Sequence, residues 1–221
     1  MLTTATMRVR ANFKDNALLK SVIVAYALVW MITAINPSYR TDWLLENLLV
    51  VAFLPLLVFT YRILPLSDLS YILIAIFMTF HAVGAHYTYA EVPLGYWLKD
   101  AFHLSRNHFD RVVHFSFGLL MADPVREVFL RVASSRGFWA YYLPLDVTLA
   151  FSAVYEIIEM IVAKIVSSGA GDAYLGTQGD VWDAQMDMSC AAVGAVLCMT
   201  TTALVRRVVH KGPELLAGTN N

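Results

Sequence analysis

The candidates for chemistry in this chain are acids, one histidine and one arginine that recur at helical spacing. The set comprises Asp110, Arg111, His114, Glu156, Glu159, Asp180, Asp183 and Asp187. Asp180, Asp183 and Asp187 stand at i, i+3 and i+7, which places them on one stripe of a helix. Asp110 precedes His114 by one helical turn, so the two side chains share a face. This spacing predicts that helices present these side chains together.

Six carboxylates beside a single arginine cannot all stay charged and unpaired in an apolar environment. Either several of them hold protons, or a cation neutralises them. Carboxylate oxygens with one or two imidazoles suit Mg²⁺, Mn²⁺, Fe²⁺ or Zn²⁺. We therefore expect a one- or two-metal centre.

The expected roles within that centre follow from residue type and spacing. The predicted metal ligands are His114, Glu156, Glu159, Asp183 and Asp187. Asp110 would orient the His114 imidazole through a hydrogen bond. Asp180 would act as a ligand or general base, or it would cap the helix that follows it. Arg111 would hold negative charge on the substrate.

Composition identifies the kind of protein that positions these residues. Of the 221 residues, 58% are apolar and only 15% are charged, and the mean hydropathy is +0.59. The apolar residues form runs of about 20, the length that an α-helix needs to cross a bilayer. This pattern indicates an integral helical membrane protein and excludes a soluble fold, disorder and a secreted disulfide scaffold. The net charge of −1 offers no basic surface for nucleic acid.

The apolar runs predict an all-α bundle of six transmembrane helices that forms a single domain over residues 1–221. The predicted spans are 18–36, 43–62, 70–90, 109–129, 138–164 and 183–205. With the N-terminus in the cytoplasm, eleven lysines and arginines lie on the inner side and five on the outer side. Positive charges favour the cytoplasmic side, so we predict that both termini lie inside.

This topology brings the polar residues to one depth. The fourth and sixth spans run inward and carry Asp110, His114 and the aspartate stripe at their beginnings. The fifth span runs outward and carries Glu156 and Glu159 near its end. All of them therefore fall in the outer half of the membrane, where we predict one site. Two long outer loops, 91–108 and 167–182, border it, and the first could be interfacial or re-entrant.

Three motifs carry a resemblance to a known family. They are R-N-H-F-D-R-V-V-H-F-S-F-G at 106–118, Y-E-I-I-E at 155–159 and G-T-Q-G-D-V-W-D-A-Q-M-D-M at 176–188. On these motifs the chain resembles the YjdF-type bacterial inner-membrane proteins, which implies a six-span protein of the cytoplasmic membrane but no activity. The glutamate pair followed by an aspartate ladder is also similar to VanZ-type membrane proteins, although the arginine that precedes their ladder is missing here.

The cluster favours a metal-dependent membrane enzyme that acts on a lipid or lipid-linked substrate at the outer leaflet. Membrane lipids are then its expected partners, and loop 91–108 could admit a lipid from the side. One alternative is a cation- or proton-coupled transporter, although no inverted repeat is evident and the inner half is sparsely polar. The other alternative is a non-catalytic protein with a structural polar core.

Overall fold

The protein is built from helices, with no strand among the described residues. A computed structural model describes residues 13–166 and 175–217, and the side chains of the second range as far as Val209. Its α-helices are α1 Ala17–Thr33, α2 Arg40–Ile63, α3 Asp68–Tyr87, α4 Pro93–Ala101, α5 Phe109–Val132, α6 Trp139–Ile165 and α7 Asp183–Ala217. Short 3₁₀ turns occupy Phe13–Asp15 and Tyr89–Glu91.

Six of these helices match the predicted spans, and most of their edges agree within three residues. Where the edges differ, local sequence explains the difference. The first helix ends at Thr33 rather than at 36 because Asn36 has a φ of 50° and precedes a proline. The third ends at Tyr87 because Thr88 has a φ of 57°. The last helix continues to Ala217, well beyond the predicted end at 205.

Three of the described helices are long and apolar enough to cross a membrane. They are Arg40–Ile63, Asp68–Tyr87 and the part of α7 over Asp183–Val209. The first helix, α1, is apolar but has only 17 residues. The charged residues of α5 and α6, which include Asp110, Arg111, Glu156 and Glu159, lower the hydropathy of those two helices.

Helix α5 is the centre of the bundle, because α3, α6 and α7 all pack against it and α7 does so most extensively. Two glycines allow this close contact. A Cβ on Gly118 would lie 1.9 Å from the Ala191 carbonyl oxygen, and one on Gly194 would lie 2.2 Å from the Phe115 carbonyl oxygen. Small residues on both helices therefore let α5 and α7 pack closely.

The predicted outer loop 91–108 contains the amphipathic helix α4. Its Leu94 and Trp97, and Phe102 directly after it, expose their apolar side chains. Asn107 fixes α4 to the start of α5, since its Nδ2 donates to the Val92 carbonyl at 3.0 Å. Of the other predicted outer loop, residues 167–174 lie outside the described ranges.

A cavity of about 620 Å³ opens between α3, α5 and α7, and none of the predicted site residues lines it. Four leucines of α3 and α5 and several residues of α7 line it, and Asp123, Thr202 and Arg206 supply polar groups. The predicted site is therefore not in this cavity. It lies at the end of the bundle where α5 and α7 begin, which we call the acidic end.

Candidate metal centre at the acidic end

Three helices bring ionisable side chains together at the acidic end. Asp110 and His114 lie on the first turns of α5, and Asp187 lies on the second turn of α7. Carboxylate or imidazole atoms of these three residues all lie within 4.8 Å of one another. His114 and Asp187 are only 7% and 2% exposed. We call Asp110, His114 and Asp187 the buried triad.

Helix α6 adds a fourth side chain to the buried triad. The His114 Nε2 atom lies 3.4 Å from Glu156 Oε1 and 3.6 Å from Asp110 Oδ1. Neither distance is a normal hydrogen bond, although both are short enough for the two groups to share an ion. The imidazole thus stands between carboxylates from two different helices.

Two oxygen atoms in this group have no hydrogen-bond donor within the described ranges. They are Glu156 Oε1 and Asp187 Oδ1, and both are inaccessible to solvent. A buried carboxylate oxygen without a partner destabilises the fold by about 1–3 kcal/mol or more. A proton or a metal ion bound between the carboxylates would remove that penalty.

Two arginines form a rim above the buried triad. Arg106 pairs with Asp183 at 2.5 Å, and Arg111 pairs with Asp180. Each arginine also lies within 4 Å of the other's aspartate, at 3.6 Å for Arg106 and Asp180 and 3.7 Å for Arg111 and Asp183. We call these four residues the arginine rim. Its charges balance, whereas those of the buried triad do not.

The loops before α5 and α7 hold the arginine rim in place. The Asn107 backbone N–H donates to Gln178 Oε1 at 3.0 Å, and Gln178 Nε2 donates back to the Asn107 carbonyl at 2.8 Å. Arg106 also donates to the carbonyls of Gly176 and Thr177. Gly176 has a φ of 60°, a conformation that glycine adopts without strain. The two loops therefore form one unit.

A further acid, Glu46 of α2, lies behind the centre and is only 4% exposed. Tyr155 of α6 donates its hydroxyl to Glu46 Oε2 at 3.0 Å, and its ring stands edge-on to His114. Glu159 is also buried, and it lies close enough to Glu46, Glu156, Asp110 and Asp187 for electrostatic interaction. The acidic group therefore extends across four helices.

His81 of α3 stabilises α2 beside this acid. Its Nε2 lies 3.1 Å from the Glu46 carbonyl oxygen, and its Nδ1 lies 2.5 Å from the Tyr89 hydroxyl. A carbonyl only accepts, so Nε2 carries the proton and Nδ1 accepts from the tyrosine. His81 therefore has a structural partner on each side.

The charges of the arginine rim contribute to the pKa shifts of two titratable groups in the loops. Partial burial lowers the pKa of the His108 imidazole, and the positive charges of Arg111 and Arg106 lower it further. The Trp182 backbone N–H donates to Asp180 Oδ1 and lowers the pKa of that carboxyl, as does Arg111. Asp180 is therefore a stable anion at neutral pH.

The structure divides the predicted site residues into two groups. It brings Asp110, His114, Glu156 and Asp187 together, with Glu159 close behind. It places Asp180, Asp183 and Arg111 in the arginine rim instead. Asp180 also caps the turn before α7, as one of the two sequence interpretations held.

Sequence reasoning missed two residues of this region. Arg106 is not among the predicted site residues, although it belongs to the same R-N-H-F-D-R motif as Asp110 and Arg111. Glu46 was overlooked, although it is an acid inside a predicted span and stands four residues after Asp42. An ionisable residue in an apolar run was the available signal in that case.

Comparison with known proteins identifies the chain as a membrane protein. Residues 18–208 match the family described as "Predicted membrane protein (DUF2238)". The chain belongs to this family. It is also 39% identical over 191 residues to the inner membrane protein YjdF of Escherichia coli (strain K12), covering 86% of this chain and 90% of that protein. The predicted resemblance is confirmed, and the chain is a protein of the bacterial inner membrane. No solved structure matches it.

Proposed function

We propose that the buried triad, with Glu156, binds a divalent metal ion, and that the protein is a membrane-embedded enzyme acting on a lipid or lipid-linked substrate. One observation carries the proposal. Potential ligand atoms of Asp110, His114 and Asp187 lie within 4.8 Å of one another, and the Asp187 Oδ1 and Glu156 Oε1 atoms lack donors among the described residues.

The donor set of this centre favours a hard or borderline ion. Three carboxylates and one imidazole suit Mg²⁺, Mn²⁺, Fe²⁺ or Zn²⁺. Such an ion would polarise a phosphoryl or carbonyl oxygen and lower the pKa of a bound water. In this proposal Asp110 is a ligand rather than only a partner of His114, because its carboxylate belongs to the buried triad. Glu159 supports the ligands from behind.

The arginine rim supplies the polar face toward the substrate. Asp183 holds Arg106, and Asp180 holds Arg111, so both guanidinium groups stay beside the buried triad. Asp180 is the most exposed of the four, with 28% of its side chain accessible. It is therefore the rim residue best placed to meet a substrate.

The six-span arrangement predicted from the sequence fits this function. We propose that the six long helices cross the bilayer with both termini in the cytoplasm, which places the acidic end in the outer half. The exposed apolar side chains of Leu94, Trp97 and Phe102 then suit α4 to the outer membrane surface. Since Asn107 fixes α4 to α5, a lipid at this surface would lie next to the arginine rim.

Elemental analysis of the purified protein tests the metal centre. We expect about one divalent ion per chain in the wild type, and its loss in Asp110→Asn combined with Asp187→Asn. Asp146→Asn is the matched control, because Asp146 is an exposed aspartate of α6 outside the cluster. Equal metal content in all three proteins would refute the centre. Size-exclusion elution at the wild-type volume shows that a variant is folded.

A flux assay separates the enzyme from the transporter alternative. The close packing of Gly118 and Gly194 closes the contact between α5 and α7 directly below the acidic end, which disfavours a path through that contact. We therefore expect proteoliposomes containing the protein to show no cation or proton flux above that of empty vesicles. Flux that disappears with Asp187→Asn would replace the enzyme proposal with transport.

A further inference from the structure

The arginine rim has more hydrogen-bond donors than acceptors. Each guanidinium carries five N–H donors. Arg106 makes three hydrogen bonds, to Asp183, Gly176 and Thr177, and Arg111 makes one, to Asp180. The Nε atoms of both arginines are inaccessible to solvent and have no acceptor in the described part of the chain.

These unpaired donors are unusual for a structural ion-pair network. Arg106 is only 6% exposed, so water does not satisfy its remaining donors freely. A buried charged donor without a partner is costly, and a purely structural network would normally use it. The two aspartates balance the charge of the arginines but leave both Nε groups unpaired. Both Nε groups therefore lack a hydrogen-bond acceptor. Because guanidinium groups are positively charged, an anion would be the preferred acceptor.

The position of the arginine rim indicates which kind of anion could bind to the two arginines. Gly176 accepts a hydrogen bond from Arg106, and a Cβ on Gly176 would lie 4.0 Å from Asp110 Oδ2. An anion on the arginines would therefore border the buried triad. A tetrahedral oxyanion offers several acceptor oxygens, which suits two guanidinium groups better than a further carboxylate does. Its remaining oxygens could face the metal centre.

We propose that Arg106 and Arg111 bind a phosphate group, carried by a lipid headgroup or present as free phosphate. This proposal deepens the proposed function, on which it rests for the neighbouring metal. If a lipid carries the phosphate, the substrate is a phosphate ester. Phosphate takes the place of Asp180 on Arg111, because Asp180 is the exposed member of the rim and lies in a loop. Asp183 stays on Arg106 and keeps that guanidinium in position.

Calorimetric titration of the full-length protein in detergent with inorganic phosphate, at constant ionic strength, tests the site. The key variant combines Arg106→Gln with Asp183→Asn, because it removes both charges of one pair and leaves no buried ion alone. Arg111→Lys keeps a charge but loses the planar fork. Arg40→Gln is the matched control, since Arg40 is an exposed arginine outside the rim.

We expect wild type and Arg40→Gln to bind phosphate equally, and both other variants to bind at least about tenfold more weakly, as for the loss of charge-assisted hydrogen bonds. Phosphate binding that is undetectable in wild type, or equal in all four proteins, would overturn the proposal. Short-chain phosphatidic acid is titrated in parallel. Tighter binding than inorganic phosphate identifies a lipid as the source, and equal binding identifies free phosphate.

The same titrations with EDTA or with added Mn²⁺ keep the two proposals apart. Phosphate binding in EDTA, together with no binding of Mn²⁺ when the ion is added back, would support the arginine site and refute the metal centre. Metal binding without phosphate binding would do the reverse. If both proposals hold, Mn²⁺ strengthens phosphate binding in the wild type but not in Asp110→Asn combined with Asp187→Asn.

Discussion

The close contact where α5 crosses α7 provides a sharp test of whether helix packing determines the ligand spacing of the metal centre. In Gly118→Ala the new Cβ would lie 1.9 Å from the Ala191 carbonyl oxygen and 2.8 Å from the Ala195 nitrogen. Ordinary contact begins at 3.4 Å, and both neighbours are backbone atoms that no rotamer change can move. The helices must therefore separate locally by about 1.5 Å, and overpacking of this kind costs about 3 kcal/mol.

That displacement reaches the buried triad, because Asp110 and His114 are on one helix of the crossing and Asp187 is on the other. The potential ligand atoms now lie within 4.8 Å of one another, and a separation of about 1.5 Å would extend this to about 6 Å. Two ligands on one small divalent ion are at most about 4.2 Å apart, a spacing that side-chain rotation reaches from the present limit of 4.8 Å but not from about 6 Å. We therefore expect Gly118→Ala to lose most of its bound metal as well as stability.

The assay combines denaturant unfolding in detergent with elemental analysis of the same samples. Gly194→Ala should behave like Gly118→Ala, because its Cβ would lie 2.2 Å from the Phe115 carbonyl oxygen. Val193→Leu is the control, since it adds one carbon to an exposed position on the same helix. Wild-type stability in Gly118→Ala would refute the packing argument. Lower stability with full metal content would refute the link between this crossing and ligand spacing.

Three further outcomes follow from hydrogen bonds and charges elsewhere in the structure. Tyr155→Phe should lower the free energy of unfolding in denaturant by about 1–3 kcal/mol, because Glu46 loses a hydrogen-bond donor. Adding Glu46→Met should recover part of that loss, and no recovery would contradict the importance of the Tyr155–Glu46 hydrogen bond. Burial and then the charge of Arg111 lower the pKa of His108, so this pKa should rise in Arg111→Gln when it is measured by NMR titration of labelled histidine. Because the unfolded chain takes up the His108 proton at higher pH than the folded protein does, wild-type stability should fall as pH drops through the usual histidine range. Glu127→Ala should speed amide hydrogen exchange at the start of α3, because the Ser67 N–H and the Ser70 hydroxyl donate to that carboxylate. Unchanged exchange would show that the contact contributes nothing.

Sequence patterns predicted the helices well because apolar runs and helix ends depend on local chemistry. The fourth and sixth predicted spans begin at Phe109 and Asp183, as the helices do. The grouping of Asp110, His114, Glu156 and Asp187 also agrees with the prediction of one site, since those residues fall at one depth once the helices alternate in direction.

The pairing of charges was beyond sequence reasoning, because it depends on side-chain reach across loops. Arg106 lies outside any helix, and its contact with Asp183 joins residues 77 positions apart. No periodicity marks such a contact. The contribution of α2 was missed for a related reason: Glu46 reaches the site through Tyr155, a residue that belongs to another helix and carries no charge.

The extensive contact between α5 and α7 has a consequence for how the protein is made. Helix α5 contains seven ionisable residues, which are Asp110, Arg111, His114, Asp123, Arg126, Glu127 and Arg131. Each Asp or Arg near the middle of an isolated helix opposes insertion by about 2.5–3.5 kcal/mol. The helix that packs most extensively on α5 is α7, which follows it in the chain. Translation therefore exposes α5 before its main partner exists, and the six-span arrangement proposed above predicts that α5 inserts stably only after α7 has emerged. A chain ending at residue 182 should leave α5 accessible to water-soluble reagents, whereas the full-length chain should protect it.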